Sequence, residues 1–282
     1  MNYLSFIIEK LKIKNNDEIL DKATKYIGVD YPSRIPNLKG FEIVDLWFKK
    51  IMETWNIEFN ILDLSQSSFL GKLEPKQNGF ILNLNKNLFT TKKRFTIAHE
   101  IAHILSFDTS SRWPERKVIH SKQEEDLCNQ IARSMLLPNS LFNFNDFNLN
   151  DIDETQIVAI NNLWKEYQVA PWQVIQKLYD FSVSDSLICI FWQHYPEESI
   201  LRIKDHCKPK NVYIPKNDRV FLSDLLKKRK TNFAPAIAFN LNKLYKGYDL
   251  VEIGTFYKRN LFTMAFPIKT SFGNYVFQII KL

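Results

Sequence analysis

The sequence predicts an α+β chain in three parts: a helical arm over residues 1–40, a helix-and-sheet domain over 41–185, and a further α+β domain over 186–282. Three observations carry this. Residues 94–107 read as one helix of about four turns, apolar nearly all round. Before it, residues 57–64, 69–73 and 79–84 read as strands, predicting a small antiparallel sheet. After residue 186 the pattern returns to alternation at 186–192, 200–204, 248–257, 261–268 and 274–281.

The elements follow in order. Residues 3–11 and 17–27 predict two short helices, followed by a connector with Pro32 and Pro36. Apolar residues at 41, 44, 47, 48, 51 and 55 make a helical stripe. The polar stretch 108–121, with Pro114, predicts a loop, and residues 122–137 a helix stopped by Pro138. Residues 139–154 are rich in Asn and Asp, then 155–167 and 171–181 predict two more helices. In the last part, residues 219–230 predict a basic amphipathic helix ending in Lys227, Lys228, Arg229 and Lys230, best read as a solvated helix end.

Composition sets the class. In 282 residues, 45% hydrophobic and 14% aromatic content allows a sizeable core. No apolar window approaches the 18 or so residues of a membrane span, so none is expected. The first helix carries Glu9 and Lys10 and lacks the plan of a secretion signal. Cys128, Cys189 and Cys207 are too scattered for a disulfide framework, so a reducing cytoplasm is the expected location. A net charge of +7 permits nucleic-acid contact without requiring it, and direct binding is not the favoured reading.

The chemistry concentrates in His99-Glu100-Ile101-Ala102-His103, an HExxH pattern. Histidines four apart share a helix face and can grip one metal ion, with Glu100 beside them to take a proton from an attacking water. Three ionisable groups on so apolar a helix need partners. A third ligand is required. A third histidine is excluded, because Ser106 and Thr109 stand where the form HExxHxxGxxH has its glycine and its third histidine. Glu124 and Glu125 lie on the following helix and point about 100° apart, so one of them faces the metal. Asn129, one turn after Glu125, could bond the far nitrogen of a ligand histidine, which favours Glu125. Glu124 then reads as a solvated helix-start carboxylate.

These residues resemble a known family. RFTIAHEIAH at 94–103, followed from Glu125 by EDLCNQIARSMLLP, is similar to the ImmA/IrrE metallopeptidases, with their RFTxAHExxH helix and later ExxANxFAxxLLxP helix. The likeness runs over roughly residues 41–185, including Gly79 to Asn83 and a helix-turn-helix-like segment over 163–174. It implies a zincin-like fold, with His99, His103 and Glu125 as zinc ligands and Glu100 as the catalytic carboxylate. Manganese or iron also suits two histidines and a glutamate. The family's substrates are DNA-binding transcriptional repressors, so a helix-turn-helix repressor is the expected partner. Some members carry a GAF-type sensor domain where residues 186–282 stand. Cys128 replaces the family's usual Ala and reads as a small buried residue; Ile131 replaces Phe. Residues 1–40 are too short for the N-terminal DNA-binding domain that relatives often carry.

His120, on the loop between the site helices, is a candidate oxyanion stabiliser, with a solvated loop histidine as the plainer reading. His194, His206 and Cys207 are not expected to form a second metal site. Gly79 to Leu84 is expected to be the sheet edge that receives an extended substrate. The alternative to a peptidase is a regulator that keeps the metal and binds a protein or DNA without cutting; an intact Glu100 argues against it.

Overall fold

The computed structural model describes residues 2–15, 18–28, 38–63, 69–139, 147–182, 187–208, 219–221, 233–253, 257–270 and 273–282. The chain divides into two compact units, Met1–Asn143 with Trp164–Ala170, and Phe144–Leu163 with Pro171–Leu282. The prolines of the 31–36 connector and the basic run Lys227 to Lys230 lie outside the described residues.

In the first unit, helices α1 (Tyr3–Lys10) and α2 (Ile19–Ile27) precede α3 (Gly40–Thr54). Strands β1 (Ile57–Leu62), β2 (Gly71–Lys76) and β3 (Gly79–Asn85) lead into α4 (Thr90–Ala102), whose last turn tightens into a 3₁₀ turn over His103–Ser106. The ribbon β4 (Phe107–Asp108) and β5 (Glu115–Arg116) occupies part of the stretch expected as plain loop, ahead of α5 (Lys122–Leu136). The Ser121 hydroxyl caps α5 by accepting from the Glu124 N–H at 3.2 Å. Pro138 ends α5, since the residue before a proline is pushed out of helical geometry, and Leu137 sits at φ −131°, ψ 73°.

Two expectations about the first sheet are corrected. It is mixed, not antiparallel, with order β1-β3-β2: β3 runs parallel to β1 and antiparallel to β2. The two-residue turn at Gln77 and Asn78, with Asn78 at φ 59°, makes β2 and β3 a hairpin. The chain therefore enters β2 on the far side of the place that β3 later fills. Gly79 to Leu84 is consequently the central strand and cannot be the docking edge; Phe80, Leu82 and Leu84 are at most 1% exposed. The edge strands are β1 and β2.

Helix α4 packs on β2, β3 and α5. Ile101, Ile104 and Leu105 are fully buried, each contributing about 1.5–3 kcal/mol. Arg94, 7% exposed, pairs with Asp45 of α3 and donates to the Phe41 carbonyl at 3.2 Å, tying the start of the motif helix to α3. At its other end, Lys10 of α1 donates to the Leu105 carbonyl at 3.0 Å and to that of Phe107. A cation at a helix C-terminus satisfies carbonyls that have no partner within the helix.

The second unit contains α6 (Glu154–Glu166) in part and α7 (Pro171–Ser182). Its strands are β6 (Leu187–Tyr195), β7 (Ile200–Cys207), β8 (Arg219–Phe221), β9 (Tyr245–Ile253), β10 (Tyr257–Thr270) and β11 (Gly273–Lys281), with α8 (Phe233–Leu241) between β8 and β9. They form one antiparallel sheet, β8-β7-β6-β11-β10-β9. Ile188, Ile190, Trp192 and Val276 build a core with Ala234 and Ala238 of α8. Trp172 of α7 stacks on Phe191 at 5.5 Å. The helix expected from residue 219 is corrected: Arg219–Phe221 is a strand, because β7 offers an unpaired edge and pairing overrides local propensity. Among the described residues, no helix is long and apolar enough to cross a membrane.

Partial burial lowers the Lys10 ammonium from its ordinary 10.5 to about 8, against the opposing pull of Asp108. Between those pH values the folded chain holds fewer protons than the unfolded one, so on this account stability rises with pH across the window. In urea titrations the gap between wild type and Lys10→Met should be flat below pH 8 and shift in favour of wild type up to pH 10.5. A gap that does not change across that range removes Lys10 as a buried cation.

Candidate metal centre

Helix α4 ends as it delivers the second histidine, with His99 in its last turn and His103 opening the 3₁₀ turn. The spacing still brings the two Nε2 atoms to 3.3 Å, with the rings edge to face at 79°. Helix α5 supplies Glu125, whose carboxylate oxygens lie 3.1 Å from His99 Nε2 and 3.4 Å from His103 Nε2. The ligand atoms of these three residues all fall within 4.8 Å of one another, the one such group found among the described residues.

The far side of each ring decides what the centre can hold. His99 Nδ1 lies 3.0 Å from the Asn129 side-chain oxygen, and His103 Nδ1 lies 2.7 Å from Glu124 Oε1. Both partners accept, so both Nδ1 atoms carry the ring proton and both Nε2 atoms are bare lone pairs. Two bare nitrogens and a carboxylate then converge on one point with no proton between them. Such a cluster repels itself, and a cation relieves it, so the donor set fits a divalent metal. Burial, followed by the neighbouring His103, pushes the His99 imidazolium down in pKa and favours the neutral form that ligation requires.

Glu124 is a correction. It is not solvated but fully buried, accepting from His103, from the Ser106 hydroxyl at 2.5 Å and from Arg116 Nη2 at 2.6 and 2.5 Å. Burial alone would raise its carboxyl; the hydrogen bonds from His103 and Ser106 and the charge of Arg116 prevail and hold it down at about 2. Nothing in the local sequence pattern marks Glu124 as buried, since Arg116 and Ser106 reach it only through the fold. Cys128 is buried, with Sγ 3.6 Å from His103 Nδ1, the nitrogen turned away from the convergence point, and burial pushes its thiol well up.

Glu100 lies in a cleft of about 600 Å³, lined by Leu70, Gly71 and Leu73 on one side and by His120 and Arg116 on the other. Its Oε2 accepts from the Leu73 N–H at 3.1 Å, and burial raises its carboxyl above the ordinary range. Strand β2 can come this close because residue 71 is glycine: a Cβ there would sit 2.7 Å from Thr96 Cγ2 and 3.2 Å from Glu100 Cγ. His120 joins the cluster from the rim, its Nε2 2.6 Å from Glu125 Oε1. His99, Glu100, His103, His120, Glu125 and Asn129 thus meet around one cleft. His194, His206 and Cys207 belong to the second unit and form no such group among the described residues.

Bare imidazoles facing a carboxylate, with a further carboxylate beside them in an open cleft, form a group that could hold a metal ion. The family comparison points the same way: residues 52–179 match the peptidase family described as the IrrE N-terminal-like domain, in line with the ImmA/IrrE resemblance. No curated protein matches the chain. Among solved structures, a Mycobacterium tuberculosis transcriptional regulator aligns over 98% of this chain and 78% of its own, at 13% identity and a TM-score of 0.49.

Purified protein is expected to carry about one divalent ion per chain and to lose thermal stability when a chelator removes it. His99→Ala should carry none. A wild-type chain that takes up no ion from excess zinc, by elemental analysis after desalting, rules the centre out.

Proposed function

We propose that the protein is a divalent-metal endopeptidase of the ImmA/IrrE type that cuts a DNA-binding repressor and so releases stress-response or mobile-element genes. The observation that carries the reading is the convergence of His99 Nε2, His103 Nε2 and the Glu125 carboxylate, with Glu100 alongside in the same cleft. When bound there, a divalent ion (zinc by family, manganese or iron by donor set) supplies Lewis acidity to the scissile carbonyl and the attacking water.

The chain's own groups do the rest. Glu100 takes the water's proton and passes it to the leaving amine, and its raised carboxyl pKa suits both halves of that transfer. The Leu73 N–H holds Glu100 in place. His120, on the cleft rim, is assigned to the developing oxyanion. With β3 internal, the docking edge becomes β2, whose residues 71–73 line the cleft and can pair with an extended segment. A linker between folded parts of a repressor has that shape. Residues 186–282 are assigned to substrate choice or signal response and to no metal ligand. A six-stranded antiparallel sheet with a helix on one face supports a sensor-type domain, by analogy of fold only.

With metal-loaded protein and a repressor encoded nearby, wild type should cut once or at a few sites and leave casein nearly intact. Glu100→Ala should keep metal and fold yet lose about 100-fold or more in rate. Gly71→Ala, by displacing Glu100, should lose activity while its metal content stays normal. Normal cutting by Glu100→Ala removes the proposed base, and rapid digestion of casein replaces the regulatory reading with a general peptidase.

A further inference from the structure

The two histidines are held from behind by unequal partners. His99 is backed by a neutral amide oxygen, Asn129 Oδ1, at 3.0 Å. His103 is backed by a carboxylate, Glu124 Oε1, at the shorter distance of 2.7 Å. That carboxylate is itself gripped: Ser106 and Arg116 donate to it, and Arg116 also donates through Nε to the Val118 carbonyl at 3.0 Å. Cys128 fills the space beside the His103 ring, and Tyr3 of α1, 3% exposed, packs against the same Ser106, Cys128 and Glu124. So much buried polar structure is more than α5 needs at its first turn, where a solvated acid would stabilise the helix equally well. A fully buried carboxylate is costly unless paired, and every pairing here fixes its position against His103.

We propose that Glu124 is a positioning residue of the metal centre: with Ser106 and Arg116 it locks His103 with Nδ1 protonated and Nε2 presented, making His103 the stronger of the two histidine donors. The carboxylate draws the Nδ1 proton towards itself and so raises electron density at Nε2, whereas the Asn129 amide orients His99 with little polarisation. Arg116 holds the Glu124 carboxylate in register through both oxygens, while its guanidinium reaches the cleft wall. The proposal rests on the reading of His99, His103 and Glu125 as the metal ligands.

The test uses the full-length protein and zinc or cobalt alone, without substrate. Zinc affinity is measured by competition with a chromophoric chelator for wild type and Glu124→Gln, which keeps the shape and removes the charge. The expected result is a loss of about 10- to 100-fold in Glu124→Gln, with an altered visible spectrum of the cobalt form; the apo melting temperature falls as well, because Arg116 loses its charged partner. Equal affinities in the two proteins overturn the proposal. A wild-type chain that binds no zinc overturns instead the ligand assignment beneath it. A second measurement needs no variant: long-range proton–nitrogen correlation on the zinc form should show both Nδ1 protons, that of His103 further downfield than that of His99. Zinc on Nδ1 of His103, or coincident Nδ1 protons, refutes the role even if Glu124→Gln fails to fold.

Discussion

Three acceptor atoms with no donor between them are the constraint around which the first unit is arranged. His99 Nε2 and His103 Nε2 stand 3.3 Å apart and share a carboxylate neighbour. Such a convergence of neutral imidazoles and a carboxylate needs positive charge among them to relieve it. The surrounding structure has to impose it. Two helices carry the ligands, and everything else in the unit holds α4 and α5 at the separation and rotation the cluster requires.

That holding is spread along α4. Arg94 anchors one end through Asp45 and Phe41, β2 closes in at Gly71, and Lys10 binds one carbonyl within the 3₁₀ turn and one just after it. None of these contacts is itself chemistry. Together they leave the motif helix little freedom to slide, so the geometry of the cleft is set by packing that reaches well beyond it. Glu124 extends the same principle inside the cluster, where a buried ion pair costs solvation and returns the orientation of a single ring.

What helical periodicity brings together was legible in the sequence: the histidine pair, Glu100, Glu125 and Asn129 reach one cleft on spacings along one helix or between two. What was not legible depended on contacts distant in sequence. Glu124 looks like a solvated first-turn acid until Arg116 and Ser106 are seen closing over it. Alternation identifies the three strands, but their order is set by which of them pair, and the parallel pairing of β1 with β3 leaves no local mark. Likewise Arg219–Phe221 pairs as a strand because β7 has an open edge, which no local pattern announces. In the second unit, alternation located the strands, while α8 stayed hidden in an apolar run with little helical periodicity of its own.

The bond from Lys10 to the Leu105 carbonyl spans 95 residues of chain. Its loop must close before the end of the motif helix is secured, and contacts of such long separation form late because their entropy is spent before they return anything. Lys10 therefore has nothing to dock on at this end until α4 and the turn after it have formed. Until then the histidine pair sits on an unfinished helix. Until that contact forms, the turn that carries His103 lacks one of the bonds that secure it.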